Sequence, residues 1–170
     1  MRSMIPFAIW LRMTPLSVAF QHQERWMWPF CESLHFIGLC LLVGIAGFFD
    51  LRLLGMMKRI PVRAAFDLMP WAIAGFAINL ITGTVFFIAE PVQYCNNPTW
   101  WAKVFFLGAA GLNAIFFQTI LSARVLTLEP GEDTPLSFKI VGAVSLMTWF
   151  GVLYCGRMLP FIGASISAGL

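Results

Sequence analysis

The stretch "CESLHFIGL", residues 31–39, carries a carboxylate and an imidazole three positions apart, Glu32 and His35. On a helix that spacing places both on one face, within reach of each other. A carboxylate that holds one ring nitrogen leaves the other free as a ligand or a proton carrier. Several chemistries follow. His35 suits the axial position of haem b, with His22, Met158 or the same His35 of a second copy as the further ligand. It also suits copper, with Met158 and Cys31 as soft partners, or a proton relay. The alternative is a histidine near the membrane surface, satisfied by Glu32 or Tyr154, with no cofactor at all.

These residues sit in an unusual chain. It has 170 residues, 59% of them hydrophobic and 11% charged, with a mean hydropathy of +0.81. A water-soluble domain carries about 25% charged residues, so this chain could not cover a water-facing surface. Four apolar runs, at about 30–49, 70–90, 101–123 and 138–160, are long enough to cross a hydrocarbon layer, which takes roughly 20 helical residues. Lipid offers no partner for open backbone groups, so helices are expected. The fold class is therefore an all-α four-span membrane bundle, with consecutive spans as antiparallel neighbours. The expected division is an interfacial amphipathic segment at 1–28, a transmembrane domain at 29–162 and a short tail at 163–170. The N-terminal stretch "MRSMIPFAIWLRMTPLSVAF" is broken by Pro6, Arg12 and Pro15 and has no cleavage-site pattern. It reads as a segment lying along the interface rather than a signal peptide or a fifth span.

Loop charge orients the bundle. "DLRLLGMMKRIPVRAAFD" carries Arg52, Lys58, Arg59 and Arg63, whereas "EPVQYCNNPTWW" carries no Lys or Arg. The positive-inside tendency puts the first loop inside and the second outside, with both termini outside. Arg2, Arg12 and Arg25 before the first span oppose this. Trp26, Trp28, Trp100 and Trp101 then form the outer aromatic belt and Trp71 belongs to the inner one.

Counting depth along each span sorts the polar residues into layers. Glu32, Glu90, Lys103 and Arg157 lie at the outer end of four different spans, and His35 lies roughly 9 Å deep with Tyr154 at a similar level. Asn79, Thr82 and Asn113 fall near mid-membrane; Asp50, Arg52, Gln118 and Arg124 fall at the inner end. The four outer charges are expected to form one balanced network or to snorkel separately. Asn79 and Asn113 read as interhelical hydrogen-bonding groups, and Asp50 with Arg52 as a local cap or ion pair. Small residues such as Gly108, Ala109, Ala110, Gly111 and Ala114 allow close helix contact within the bundle or between copies. Cys31, Cys95 and Cys155 fall near one face, with unpaired thiols expected. No zinc spacing, phosphate-binding loop, Ser/His/Asp set or nucleic-acid module occurs. Expected partners are the lipid bilayer and either a second copy or another membrane protein. No soluble domain is present to hold a polar substrate, which argues against an enzyme acting alone.

"PFCESLHFIGLCLLVGIAGFFDLRLLG" and "PWAIAGFAINLITGTVFFIAEPVQYCNNPTWWAKVFFLGAAGLNAIFF" resemble an uncharacterised bacterial family of four-span inner-membrane proteins over residues 25 to 160. The likeness rests on Glu32, His35, the turn of Asp50, Leu51 and Arg52 with Gly55, Gly83 followed by Glu90 and Pro91, Asn97 with Pro98, Lys103, and Asn113. The organisation is more distantly similar to copper-resistance D membrane proteins. The resemblance implies a membrane bundle in a bacterial inner membrane and implies no reaction. A histidine often stands five residues after the asparagine of span three in that pattern; here the position is Gln118. By depth Gln118 lies about 26 Å from the outer face, too far from His35 to share one iron.

Overall fold

The computed structural model describes residues 4–22, 24–125, 127–129 and 131–167, without the side chains of 24, 25 and 163–167. Four helical stretches are long and apolar enough to cross a membrane: Trp26–Leu53, Val62–Ala89, Pro98–Val125 and Leu136–Ile162. They contain α3 (Glu24–Leu53), α4 with α5 (Val62–Phe66, Met69–Ala89), α7 with α8 (Pro98–Phe116, Ser122–Val125) and α9 (Leu136–Ser167). Two short helices, α1 (Ile5–Arg12) and α2 (Pro15–His22), precede them, and α6 (Pro91–Asn96) links α5 to α7. Helix α3 runs past Pro29 to Glu24, so Trp26 and Trp28 stand on its first turns rather than in a preceding segment.

Most of the apolar surface faces outward, as lipid rather than water requires. Trp71, Phe105, Met147 and Phe150 are each more than 60% exposed. Close packing runs α5–α3–α9–α7 in space. Spans two and three are the exception to the expected order of neighbours. Between α5 and α7 the described ring contact lies at one end, where Phe87 stacks on Trp100 at 5.1 Å. The physical reason is α6, a separate turn that carries the chain across and lets α7 dock on α9.

Glycine decides the closest crossings. A Cβ on Gly38 would stand 2.8 Å from the Gly75 carbonyl oxygen, and one on Gly75 would stand 2.7 Å from that of Gly38. Here α3 and α5 touch backbone to backbone, which any larger residue would prevent. Gly142 brings α9 onto the Asp50 carbonyl, and Gly151 receives the Phe106 ring. The expected α7 stripe behaves differently: Ala110 is buried, but a Cβ on Gly108 or Gly111 would meet nothing within 4 Å. Those two glycines pack on nothing among the described residues.

The two ends of the bundle differ. At the basic end an apolar cluster of Phe49, Leu53, Val62, Ala65, Phe117, Leu121, Val125, Phe138 and Val141 closes the core, with Phe49 and Phe117 edge to face at 5.3 Å. A π turn at Phe117–Leu121 aims Phe117 and Leu121 inward and leaves Gln118 exposed. At the tryptophan end the N-terminal helices cover the end of α5. That helix end leaves carbonyls without intrahelical partners. Ser17 donates to the Ile88 carbonyl at 2.7 Å and Gln21 donates to the Ala89 carbonyl at 3.2 Å. Ala8 and Ser17 are buried, while Phe7, Ile9, Trp10, Met13 and Leu16 point outward. One side of this segment packs on the bundle and the other presents apolar side chains.

Candidate functional site

His35 stands on α3 where it faces α5. Its Nδ1 lies 2.7 Å from the Thr82 hydroxyl. That hydroxyl donates to the Ile78 carbonyl at 2.7 Å, one turn back on its own helix, as a threonine inside a helix commonly does. Its proton is thereby committed. Its lone pair accepts from His35, so Nδ1 carries the hydrogen and Nε2 presents a lone pair in the neutral ring. The Phe86 ring meets the imidazole edge-on at 5.7 Å. Gly83 leaves room beside it, since a Cβ there would come to 3.8 Å from His35 Cε1.

The expected Glu32 clasp is absent from the described hydrogen bonds. Glu32 is exposed and interacts electrostatically with Tyr94 instead. Burial, then Glu90, then Glu32 push the Tyr94 hydroxyl up to about 12, so it is a neutral hydrogen-bonding group throughout the physiological range. Thr82 takes the role foreseen for Glu32. It could have been suspected, because eight residues before Glu90 it lies about 12 Å from that helix end, close to the level of His35. Tyr154 does not satisfy the ring; it is 57% exposed on the outward side of α9.

The network of four outer charges is not assembled. Glu90 approaches Arg12 of α1 at 4.0 Å. Arg157 lies over the Phe161 ring at 5.4 Å. Lys103 turns inward beside Gly156, where a Cβ would come to 3.6 Å from Nζ, and is an electrostatic neighbour of His35 and Cys155. The physical reason is the N-terminal segment, which brings its own cation to Glu90 and leaves Lys103 to the interior.

The remaining expected residues divide between ties and unpartnered groups. Asn113 donates to the Val141 carbonyl at 3.2 Å and joins α7 to α9. Asn79 lies over Gly38 with both amide atoms buried and unpartnered. Asp50 and Arg52 are both buried and form no ion pair with each other. Residues two apart on a helix point to different sides. Arg52 reaches the Ile60 carbonyl at 2.7 Å and Thr134 at 3.2 Å, whereas Asp50 lies beside Ser145 of α9. His22 ends α2 and is exposed; Met158 is half-buried on α9. Cys31, Cys40, Cys95 and Cys155 are free thiols, all buried except Cys40.

Sequence reasoning missed two positioning groups, Arg12 and Asn97. Asn97 is 1% exposed. Its amide oxygen caps α7 at Thr99 N, 2.9 Å, and its nitrogen donates to the Leu159 carbonyl at 2.9 Å. The Asn-Pro pair at the head of an apolar run was the available signal for that cap. Among the described residues no group of three or more His, Cys, Asp or Glu side chains is placed to hold a metal ion.

Four apolar spanning helices with one oriented imidazole between two of them define a multi-pass membrane protein. The chain belongs to the family of unknown function DUF6644, whose model matches residues 24–163. No curated protein and no solved structure matches it. The likeness to copper-resistance D proteins gains no support from these comparisons.

Proposed function

We propose that the protein is a redox or metal module of the bacterial inner membrane, in which His35 serves as the ligand. The observation that carries this reading is the 2.7 Å contact of His35 Nδ1 with a Thr82 hydroxyl that already donates to Ile78; the tautomer suited to that contact leaves Nε2 with a free lone pair. Oriented imidazoles of this kind make good metal ligands. Haem b is the better fit, because one or two axial positions suffice for it. Copper, held by His35 with Met158 and Cys31, is the alternative. When bound, haem b supplies one-electron chemistry; the chain's own residues orient the imidazole and exclude water. His22, Met158 or the His35 of a second copy would complete the iron, the last making the protein an oligomer. Positive-inside charge orients the tryptophan end and both termini outward.

A second reading has its own support. Ser17, Gln21, Asn97 and Asn113 each donate a hydrogen bond to a carbonyl of another helix. A structural or accessory subunit would use polar side chains this way, with His35 and Thr82 as one more tie. Optical spectra and metal analysis of purified protein separate the two. The redox reading expects a Soret band, or stoichiometric copper, that is lost in His35→Ala. Colourless wild-type protein free of iron and copper would leave the structural reading.

A further inference from the structure

Fifteen residues beyond His35, roughly 22 Å along α3, Asp50 presents a second problem that a redox role for His35 does not absorb. Its side chain is 4% exposed. Ser145 of α9 lies beside the carboxyl, and Oδ2 is buried with no hydrogen-bond partner. The contact is closed by Gly142, where a Cβ would come to 3.0 Å from the Asp50 carbonyl oxygen. One turn of α9 therefore carries Gly142 and Ser145 against Asp50, and the same turn's Val141 carbonyl accepts from Asn113 of α7.

Among the described residues no cation pairs with this carboxyl. Arg52 is turned to Ile60 and Thr134. Lys139 of α9 and Lys58 both pair with Asp133. Helix α5 carries no Lys or Arg, and the one cation of α4 is Arg63; neither helix places an ion pair on Asp50 among the described residues. An ionised carboxylate cannot be held in such surroundings without a partner, and the group takes a proton instead. A sodium ion would need several more oxygens than the Asp50 carboxyl and the Ser145 hydroxyl provide.

We propose that Asp50 is a proton-binding site in the half of the bundle nearest the basic loop. It is held as the neutral acid against Ser145. It releases its proton to water at that end of the bundle, leaving the carboxylate, when the α3–α9 contact loosens. Ionisable residues inside membrane spans commonly mark such proton steps.

Infrared spectroscopy of purified protein in phosphatidylcholine vesicles tests this. At neutral pH the wild type minus Asp50→Asn difference should contain one carboxylic-acid carbonyl band. That band should give way reversibly to a carboxylate signal as the pH is raised. Ser145→Ala, which keeps the carboxyl, should shift it. A carboxylate signal at neutral pH, a band indifferent to alkaline pH, or a band that Ser145→Ala does not move would each overturn the proposal. So would a band present in choline chloride and lost in sodium chloride, which would make the site a cation site.

Discussion

The tryptophan end and the basic end of this bundle solve opposite problems. At the basic end a cluster of phenylalanines and aliphatic residues closes the core. Of the polar groups buried there, Arg52 works outward to hold the loops at Ile60 and Thr134, and Asp50 faces α9. Toward the tryptophan end polar side chains reach inward or across: His35 to Thr82, Asn97 to Leu159, Ser17 to Ile88. Inside a membrane, apolar burial gives little drive for one helix to choose another. Apolar packing can therefore close an end, and directional bonds set the geometry where a side chain must be aimed. His35 lies in the part of the molecule where aim is enforced.

The largest expected effect falls on the glycine crossing. Gly75→Val places a branched side chain where even a Cβ would stand 2.7 Å from a backbone oxygen. It should cost about 3 kcal/mol or more, since overpacking that moves backbone lies at the upper end of such penalties. The loss of melting temperature in detergent should far exceed that of Gly108→Val, which faces open space. Equal losses would mean that the α3–α5 crossing is not what fixes the tryptophan half.

Arg52→Met comes next. It removes two hydrogen bonds from a charged donor, worth about 3 kcal/mol together, and frees both loops of the basic end. Limited proteolysis should then cut within 54–61 or 131–135, with the tryptophan end unchanged. Protection equal to the wild type would remove Arg52 as the tie between the loops.

The smallest effect belongs to Asp133, which is exposed. Hydrogen bonds from Lys139 and then Lys58 hold its carboxyl down at about 2, below its ordinary 3.8. A depressed carboxylate contributes its stabilisation above the ordinary value and loses it as pH falls toward 2. Between pH 4 and pH 2 the Lys58 and Lys139 ammonium signals should therefore lose their salt-bridged character in NMR spectra. Persistence of both pairs below pH 2 would contradict the assignment.

The four spans were legible because hydropathy runs and flanking charge are one-dimensional facts. His35 was legible as a costly residue in a span. Its partner was not, because Glu32 and Thr82 were both within reach by depth, and which side of α3 meets α5 depends on the Gly38–Gly75 crossing. The separation of Asp50 from Arg52 could have been read directly, since i and i+2 do not face each other. Glu90 meeting Arg12 could not, because the partners are far apart in sequence and come together only when α1 folds over the end of α5. Likewise the sequence contains small residues on α5, α7 and α9, and only packing reveals that Gly108 and Gly111 have no partner among the described residues.

The ligand role of His35 turns on one nitrogen. Nitrogen-15 NMR of histidine-labelled protein in bilayers, at neutral pH and before any cofactor is added, reads it directly. The prediction is a neutral His35 ring with hydrogen on Nδ1, a bare Nε2, and a Nδ1 resonance that moves in Thr82→Val. A ring protonated on Nε2, or a spectrum unchanged by Thr82→Val, would contradict the claim that α5 aims His35 as a ligand.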